Sequence, residues 1–412
     1  MSDPGLAEVA HLQADGVLLV EDGNHGEYRP RHDEFTYAGV AFIRAADIRD
    51  GRVLFDTAGK INDVAVARIR KGIGRPGDVL LSHKGTVGKV ALVGADPPPF
   101  VCSPQTTFYR SLNNKRLSSH YLYFYLQSPD FVRQLRSRQG ETDMAAYVSL
   151  TEQRRLLLRL PPIDEQRAIA EVLGSLDDKI EANARLVPLL RDLAVALLQQ
   201  AAEPEALYRV ADVAAVRKGL SYTGAGLSDE GMPMVNLANA ANFGWLKRSG
   251  FKHYTGAYKP RHVAPSGALL VSGVDLTWRL DIIGWAMLLP DDVGPALFSH
   301  HVFVVDFRDD NAWLRLPLWA HLYTSAARQR LESMVYGTTV ATLPTEALAG
   351  LSFPAPPPGS RVLDAAEQLV QRAWAAERET AQLAALRDAL LPPLLDGRLR
   401  VRDAVEQASE HV

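Results

Sequence analysis

The chain has 412 residues, 47% hydrophobic and 23% charged, with a formal net charge of -3. That is the balance of an ordinary folded protein with room for two or three cores; it gives no global pull toward nucleic acid, although a local basic face can still meet phosphates when acidic surface elsewhere cancels it. The single cysteine, Cys102, excludes an intramolecular disulfide and a thiolate zinc cage.

The first residues, MSDPGLAEVAHLQADG, carry neither a basic nor an apolar leader region, and no apolar run reaches membrane-span length, so a cytoplasmic protein without a membrane partner is expected. The segment GNHGEYRPRH (23–32) then gathers Asn24, His25, Tyr28, Arg29 and Arg31 between glycines and a proline. Asn and Arg carry the paired donors and acceptors that match adenine and guanine edges in the major groove, and a loop can present them there. A solvated polar loop has the same composition.

In GDVLLSHKGTVGKVALV (77–93) the motif GTVGK suggests a phosphate loop, but His83 stands where the first glycine is needed and Val90 where the magnesium-binding hydroxyl is needed. The stretch reads instead as strands over 79–81 and 90–93 joined by a glycine-rich turn. In such a turn Lys84 and Lys89 can neutralise phosphates, while Thr86 and the amide of Gly85 can approach a DNA backbone closely. A plain surface turn is the alternative. Ser103, Gln105 and Thr106 follow as further candidate contacts, or as turn formers.

Searches for catalysis fail along the way. ADPPPF (95–100) has one proline too many for the loop that stacks a flipped base, Pro129-Asp130 followed by Glu141 to Asp143 lacks a lysine, and His300-His301 lacks a third ligand at metal spacing.

From 161 to 200 apolar residues recur at Ile169, Leu173, Leu176, Ile180, Val187, Leu190, Ala194 and Leu197, with Asn183 in the one polar slot. The spacing predicts a long coiled-coil helix capped by Asp164, with a kink near Pro188. Residues 164–199 would span roughly 54 Å at the helical rise. A shift of 193 carries this seam onto 362–390, where Leu369, Leu383 and Leu390 remain apolar, and carries Leu150, Leu158 and Pro161 onto Leu343, Leu351 and Pro354. The globular parts repeat more faintly, as Gly77, Leu80 and Ser82 do at Gly267, Leu270 and Ser272, so the chain reads as a tandem duplication. Between 205 and 355 the candidate contacts are Asn236, Lys247, Lys259, Arg261 and Arg279, chosen from a mixture of basic, amide and aromatic residues.

With these segments the chain resembles the specificity subunit of type I restriction-modification systems. The likeness is carried by DGNHGEYRPRHDEF (22–35), FIRAADIRDGRV (42–53), GDVLLSHKGTVGKVALV, SPQTTFYR (103–110) and LPPIDEQRAIAEVLGSLDDKIEAN (160–183). It implies an α+β fold in which two α/β target recognition domains alternate with two long antiparallel coiled-coil helices in a pseudo-twofold repeat. The expected boundaries are 1–160 and 204–355 for the recognition domains, 161–203 and 356–396 for the helices, and 397–412 for a tail. Helices of roughly 50 Å would set the half-sites about one and a half DNA turns apart.

The resemblance further implies double-stranded DNA as ligand, no catalysis by this chain, and two methyltransferase subunits with restriction/translocase subunits as partners. S-adenosylmethionine, ATP and magnesium are then expected on those partners only. The helix residues expected to serve partner binding are Ile169, Leu173, Leu176, Ile180, Leu190, Leu197, Leu369, Leu383 and Leu390. The competing readings are a helical scaffold that never reads DNA, a recognition subunit of a related phage-defence system, and a methyltransferase complete in one chain.

Overall fold

A computed structural model describes residues 5–23, 28–141, 146–240, 245–277 and 279–409. The chain forms two compact units, Met1–Glu181 with Thr380–Val412 and Ala182–Glu379, so that each takes part of both long helices, Ile163–Ala201 and Arg361–Leu395.

The first unit is built on the strand Val79–Ser82, whose residues Val79, Leu80 and Leu81 are all buried. Alternation sends Val79 and Leu81 into a cluster with the helices and Leu80 into a cluster with a second sheet, which is why this stretch is a continuous apolar run. The sheet order is Leu18–Asp22, Thr106–Ser111, Val79–Ser82, Val90–Leu92, antiparallel throughout. The second sheet runs Phe100–Cys102, Val40–Ile43, Gly59–Ile61, Phe35–Thr36, and its first pair is parallel. Leu6–Glu8 pairs with Leu157–Arg159. Helices Ser119–Tyr125 and Pro129–Ser137 begin at serine caps, Ser118 and Ser128, each worth about 1 kcal/mol.

Against these helices lie Ile169, Leu173 and Leu176 of the first long helix and Leu383, Leu390 and Leu394 of the second, all in one buried cluster. Arg387 bonds Asp177 at 2.7 Å across the pair. Gln166, fully buried, holds the start of the helix: its Oε1 accepts from Ser118 N, and its Nε2 donates to Arg116 O and Pro161 O.

The second unit repeats this plan, with one further strand, Val263–Ala264, at the edge of its second sheet. One sheet runs Ala214–Lys218, Val302–Phe307, Leu269–Ser272, Ala286–Leu288, and the other contains the parallel pair Met232–Val235 with Ala296–Phe298. Glu203–Arg209 pairs with Ser352–Ala355, as the leading strand does in the first unit. Ala194, Val195 and Leu198 pack with Ala366, Val370 and Trp374 in its core, and buried Asn183 donates to Glu379 Oε2 at 2.7 Å, which satisfies the polar slot of the seam. The duplication is therefore one of topology as well as sequence.

Two expectations change. The first long helix starts at Ile163, so Asp164 lies in its first turn rather than at the cap; Pro188 lies inside the helix. Ile169, Leu173, Leu176, Leu190, Leu383 and Leu390 are buried, and Ile180, Leu197 and Leu369 are half-buried. A seam side chain already covered within its own unit offers no surface to a partner; the exposed leucines of the first long helix are Leu189 and Leu193, at 65% and 49% exposure. Among the described residues no helix is long and apolar enough to cross a membrane.

Candidate nucleic-acid interface

In the first unit four chain segments meet around the turn 103–106. Gly23 donates to Thr106 O at 3.0 Å, and a Cβ on Gly23 would fall 2.0 Å from Ser103 O, so only glycine fits against the turn here. Ser103 N donates to Ile43 O at 2.8 Å, and His83 N donates to Gln105 O at 2.9 Å. The turn after Val79–Ser82 closes through Gly88 N to Ser82 O, with Gly85 and Gly88 both at positive φ. Its outer edge is pinned to the segment 146–148, where Gly85 N donates to Ala146 O and Val148 N to His83 O.

Lys84, Gly85 and Thr86 are exposed on that turn. Lys89 is half-buried and its ammonium donates to Ala45 O at 2.9 Å, so part of its donor capacity is used internally. Tyr28, Arg29 and Arg31 are exposed, and a compact polar corner holds the backbone of the two arginines: Arg68 donates to both oxygens of Glu34 and to Arg29 O, while Arg31 N donates to Glu34 Oε2 at 2.7 Å. The hydrogen bond from Arg68, with that from the Arg31 amide, lowers the Glu34 pKa to about 2. Asn24 and His25 lie outside the described residues.

Ser103 and Thr106 are corrections. Both are buried, and the Thr106 hydroxyl donates to Ile43 O and Ser103 O, so these side chains hold the turn and do not reach a ligand. Gln105, half-buried, lies between them in sequence. Cys102 is wholly buried and its thiol is pushed up to about 12 by burial. Phe100 is also core, edge-on to Phe55, which agrees with the failure of the base-stacking motif.

The second unit repeats the same frame of hydrogen bonds. Ser299 N donates to Val235 O at 2.8 Å, Gly273 N to His301 O at 2.8 Å, and Leu343 N to Gly273 O at 2.8 Å. These bonds equate Ser299 with Ser103, His301 with Gln105 and Gly273 with His83. Gly219 takes the place of Gly23: a Cβ there would meet Phe298 O at 2.1 Å and Ser299 O at 2.4 Å.

The side chains on that frame differ. The rings of His300 and His301 lie 3.8 Å apart, tilted by 51°, where the first unit has Pro104 and Gln105, and desolvation, then the charges of His300 and Lys252, lowers the His301 pKa. Lys247, Lys259, Arg261 and Arg279 are exposed, as a contact role requires. Asp275 is buried and accepts from Thr277 N and Oγ1, both at 2.7 Å, which shapes the turn carrying Arg279; burial alone would raise its pKa, but these bonds hold it below the usual range. Asn236 is the third correction: it is buried, and its amide is consumed by Met234 O, Asn239, Gly250 O and Ala238 N.

Sequence reasoning passed over Arg44, half-exposed at the end of Val40–Ile43, and Tyr37, fully exposed after Phe35–Thr36. A tyrosine left bare among basic loops was the available signal for the latter. Among the described residues no three His, Cys, Asp or Glu side chains gather to hold a metal.

The two units therefore share one scaffold of strands and turns and differ in the exposed basic side chains set on it. Residues 24–187 match the family model of the type I restriction modification DNA specificity domain. The fold is that of the S subunit of a type I restriction-modification system from M. genitalium, with a TM-score of 0.58 at 14% identity over 94% of this chain and 95% of that one. A chain from a study of type I R-M complex assembly (18% identity, TM-score 0.46, 96% and 99% covered) and the HsdS subunit of Thermoanaerobacter tengcongensis (19%, 0.35, 96% and 98%) also match. No curated protein matches the sequence. Residues 24–187 thus carry the type I restriction modification DNA specificity domain, on a chain that shares its fold with an S subunit.

Proposed function

We propose that each unit reads one half of a bipartite double-stranded DNA target and that the chain itself catalyses nothing. The observation that carries this reading is the pair of matching turns, 103–106 and 299–302, held by equivalent backbone bonds but flanked by different side chains. Lys84, Arg29 and Arg31 serve as phosphate or base contacts in the first unit, and Lys247, Lys259, Arg261 and Arg279 do so in the second. Phosphate contacts set register and orientation, and base contacts set sequence.

Two methyltransferase subunits, then restriction/translocase subunits, assemble on the chain in the cytoplasm, and S-adenosylmethionine, ATP and magnesium belong to those partners. Exposed Leu189 and Leu193 are better placed than the buried seam to take part in that docking. The test is selection from a random double-stranded pool by the chain assembled with its methyltransferase. Two short conserved blocks separated by unspecified positions are expected; enrichment of one continuous block, or of none, would count against two readers.

A further inference from the structure

We propose that Arg44 is a side chain with which the first unit reads a base, and that this base is a guanine. The inference rests on the DNA-reading function given above. Arg44 follows strand Val40–Ile43 at the point where the recognition segments converge: Ile43 O receives Ser103 N and the Thr106 hydroxyl, and Ala45 O receives the Lys89 ammonium.

The arginine is held by its root and its inner edge. Its backbone N–H donates to Asp47 Oδ2 at 2.8 Å, and its Nε lies 3.5 Å from the same oxygen. The Asp47 side chain is only 8% exposed, whereas that of Arg44 is 49% exposed. Among the described residues no acceptor bonds the terminal guanidinium nitrogens, so a planar fork of donors is left over, oriented by a buried carboxylate. A Cβ on Gly59 would lie 4.0 Å from Arg44 Nη2 and 3.3 Å from the Phe35 ring, which places the guanidinium alongside strand Gly59–Ile61.

The second unit shows that the fold does not need an arginine here. Its equivalent residue, Asn236, closes the same short turn by donating its N–H to Asn239 Oδ1 at 2.9 Å, and its side chain is buried and fully bonded. One unit has closed this position and the other has left it open with a cation. A fork of N–H donors matches the O6 and N7 acceptors of guanine in the major groove. The Asp47 carboxylate opposes a phosphate at this spot, because it sets a negative charge beside the guanidinium, whereas a neutral base edge pays no such cost. Lys84, exposed nearby on the 83–88 turn, supplies the backbone anchor.

The experiment uses the chain assembled with its methyltransferase and compares wild type, Arg44→Ala and Arg44→Lys by the same selection from a random pool, with salt titrations alongside. The wild-type half-site lost in first-unit variants should contain a guanine on one strand. Arg44→Ala should relax that one position by about 5- to 150-fold in preference and leave the other half-site unchanged. Arg44→Lys, which keeps the charge and loses the fork, should relax the same position while holding the salt dependence of wild type. A uniform loss of affinity across all sequences with a shallower salt slope would make Arg44 a phosphate contact and overturn the proposal, as would an unchanged preference at every position. A wild-type complex with no sequence preference would remove the DNA-reading function itself, a failure recognised without any variant.

Discussion

Replacing Gly23 by alanine should abolish sequence reading by the first unit and spare the second. A Cβ at Gly23 would lie 2.0 Å from Ser103 O and 2.3 Å from Cys102 O, and since real Cβ contacts essentially never fall under 3.0 Å, the chain must give by about 1 Å. Both obstacles are backbone. The turn 103–106 cannot retreat without straining Ser103 N to Ile43 O and Thr106 N to Ser103 O, so the movement passes into the recognition segments. Such sites hold their geometry only within about 0.5 Å, half of the required shift. Local strain of this kind costs roughly 1–3 kcal/mol, which a folded unit can absorb. The mirror experiment is Gly219→Ala, where the obstacles are Phe298 O at 2.1 Å and Ser299 O at 2.4 Å. Sites selected by each variant complex should lose one half of the target, a different half in each case. The reasoning is refuted if Gly23→Ala keeps wild-type preference in both halves, or if the two variants degrade the same half.

Charge reversal of exposed Lys84 to Glu should weaken binding evenly across sequences and reduce the slope of log K against log salt by about one unit, as fluorescence titrations at several salt concentrations would read; an unchanged slope removes Lys84 from the interface. Asp78 has no exposed side-chain surface and accepts Arg110 Nε at 2.6 Å and Nη2 at 2.8 Å, so Asp78→Asn leaves a nearly buried cation unpaired and should destabilise the chain by about 3–5 kcal/mol in urea unfolding. A cost below about 1 kcal/mol would show that the pair is not holding the 75–78 turn in place. Glu34, with its pKa lowered to about 2, contributes stability above the usual glutamate range that is lost as pH falls through that folded value. Glu34→Gln should therefore flatten the acid limb of the stability curve between about pH 4.5 and 2; an identical limb in both proteins would show that Arg68 does not hold this carboxylate in solution.

The long helices were legible because a three-and-four repeat is a local property of the chain. Their burial was not, since periodicity marks which face is apolar and says nothing of what covers it: Leu173 and Leu383 meet the core of their own unit. Ser103, Thr106 and Asn236 were misread for a related reason. A hydroxyl or amide in a turn can serve a ligand or its own backbone, and the choice is made by a partner far along the chain, as Ile43 O does for Thr106. Arg44 was hidden between an apolar strand and an alanine pair, and its significance comes from Asp47 and from the closed equivalent at Asn236. The turn at 83–88 was legible because two glycines and a lysine leave few ways to build it.

The central claim is that one frame, written twice, carries two readers. Its most direct test is to express the chain with a methyltransferase that assembles on it and to sequence the modified positions in the host DNA. The account predicts a split motif with a fixed unspecified gap, one half changing with substitutions in the first unit and the other with substitutions in the second. A continuous motif, or no modification that depends on this chain, would contradict it.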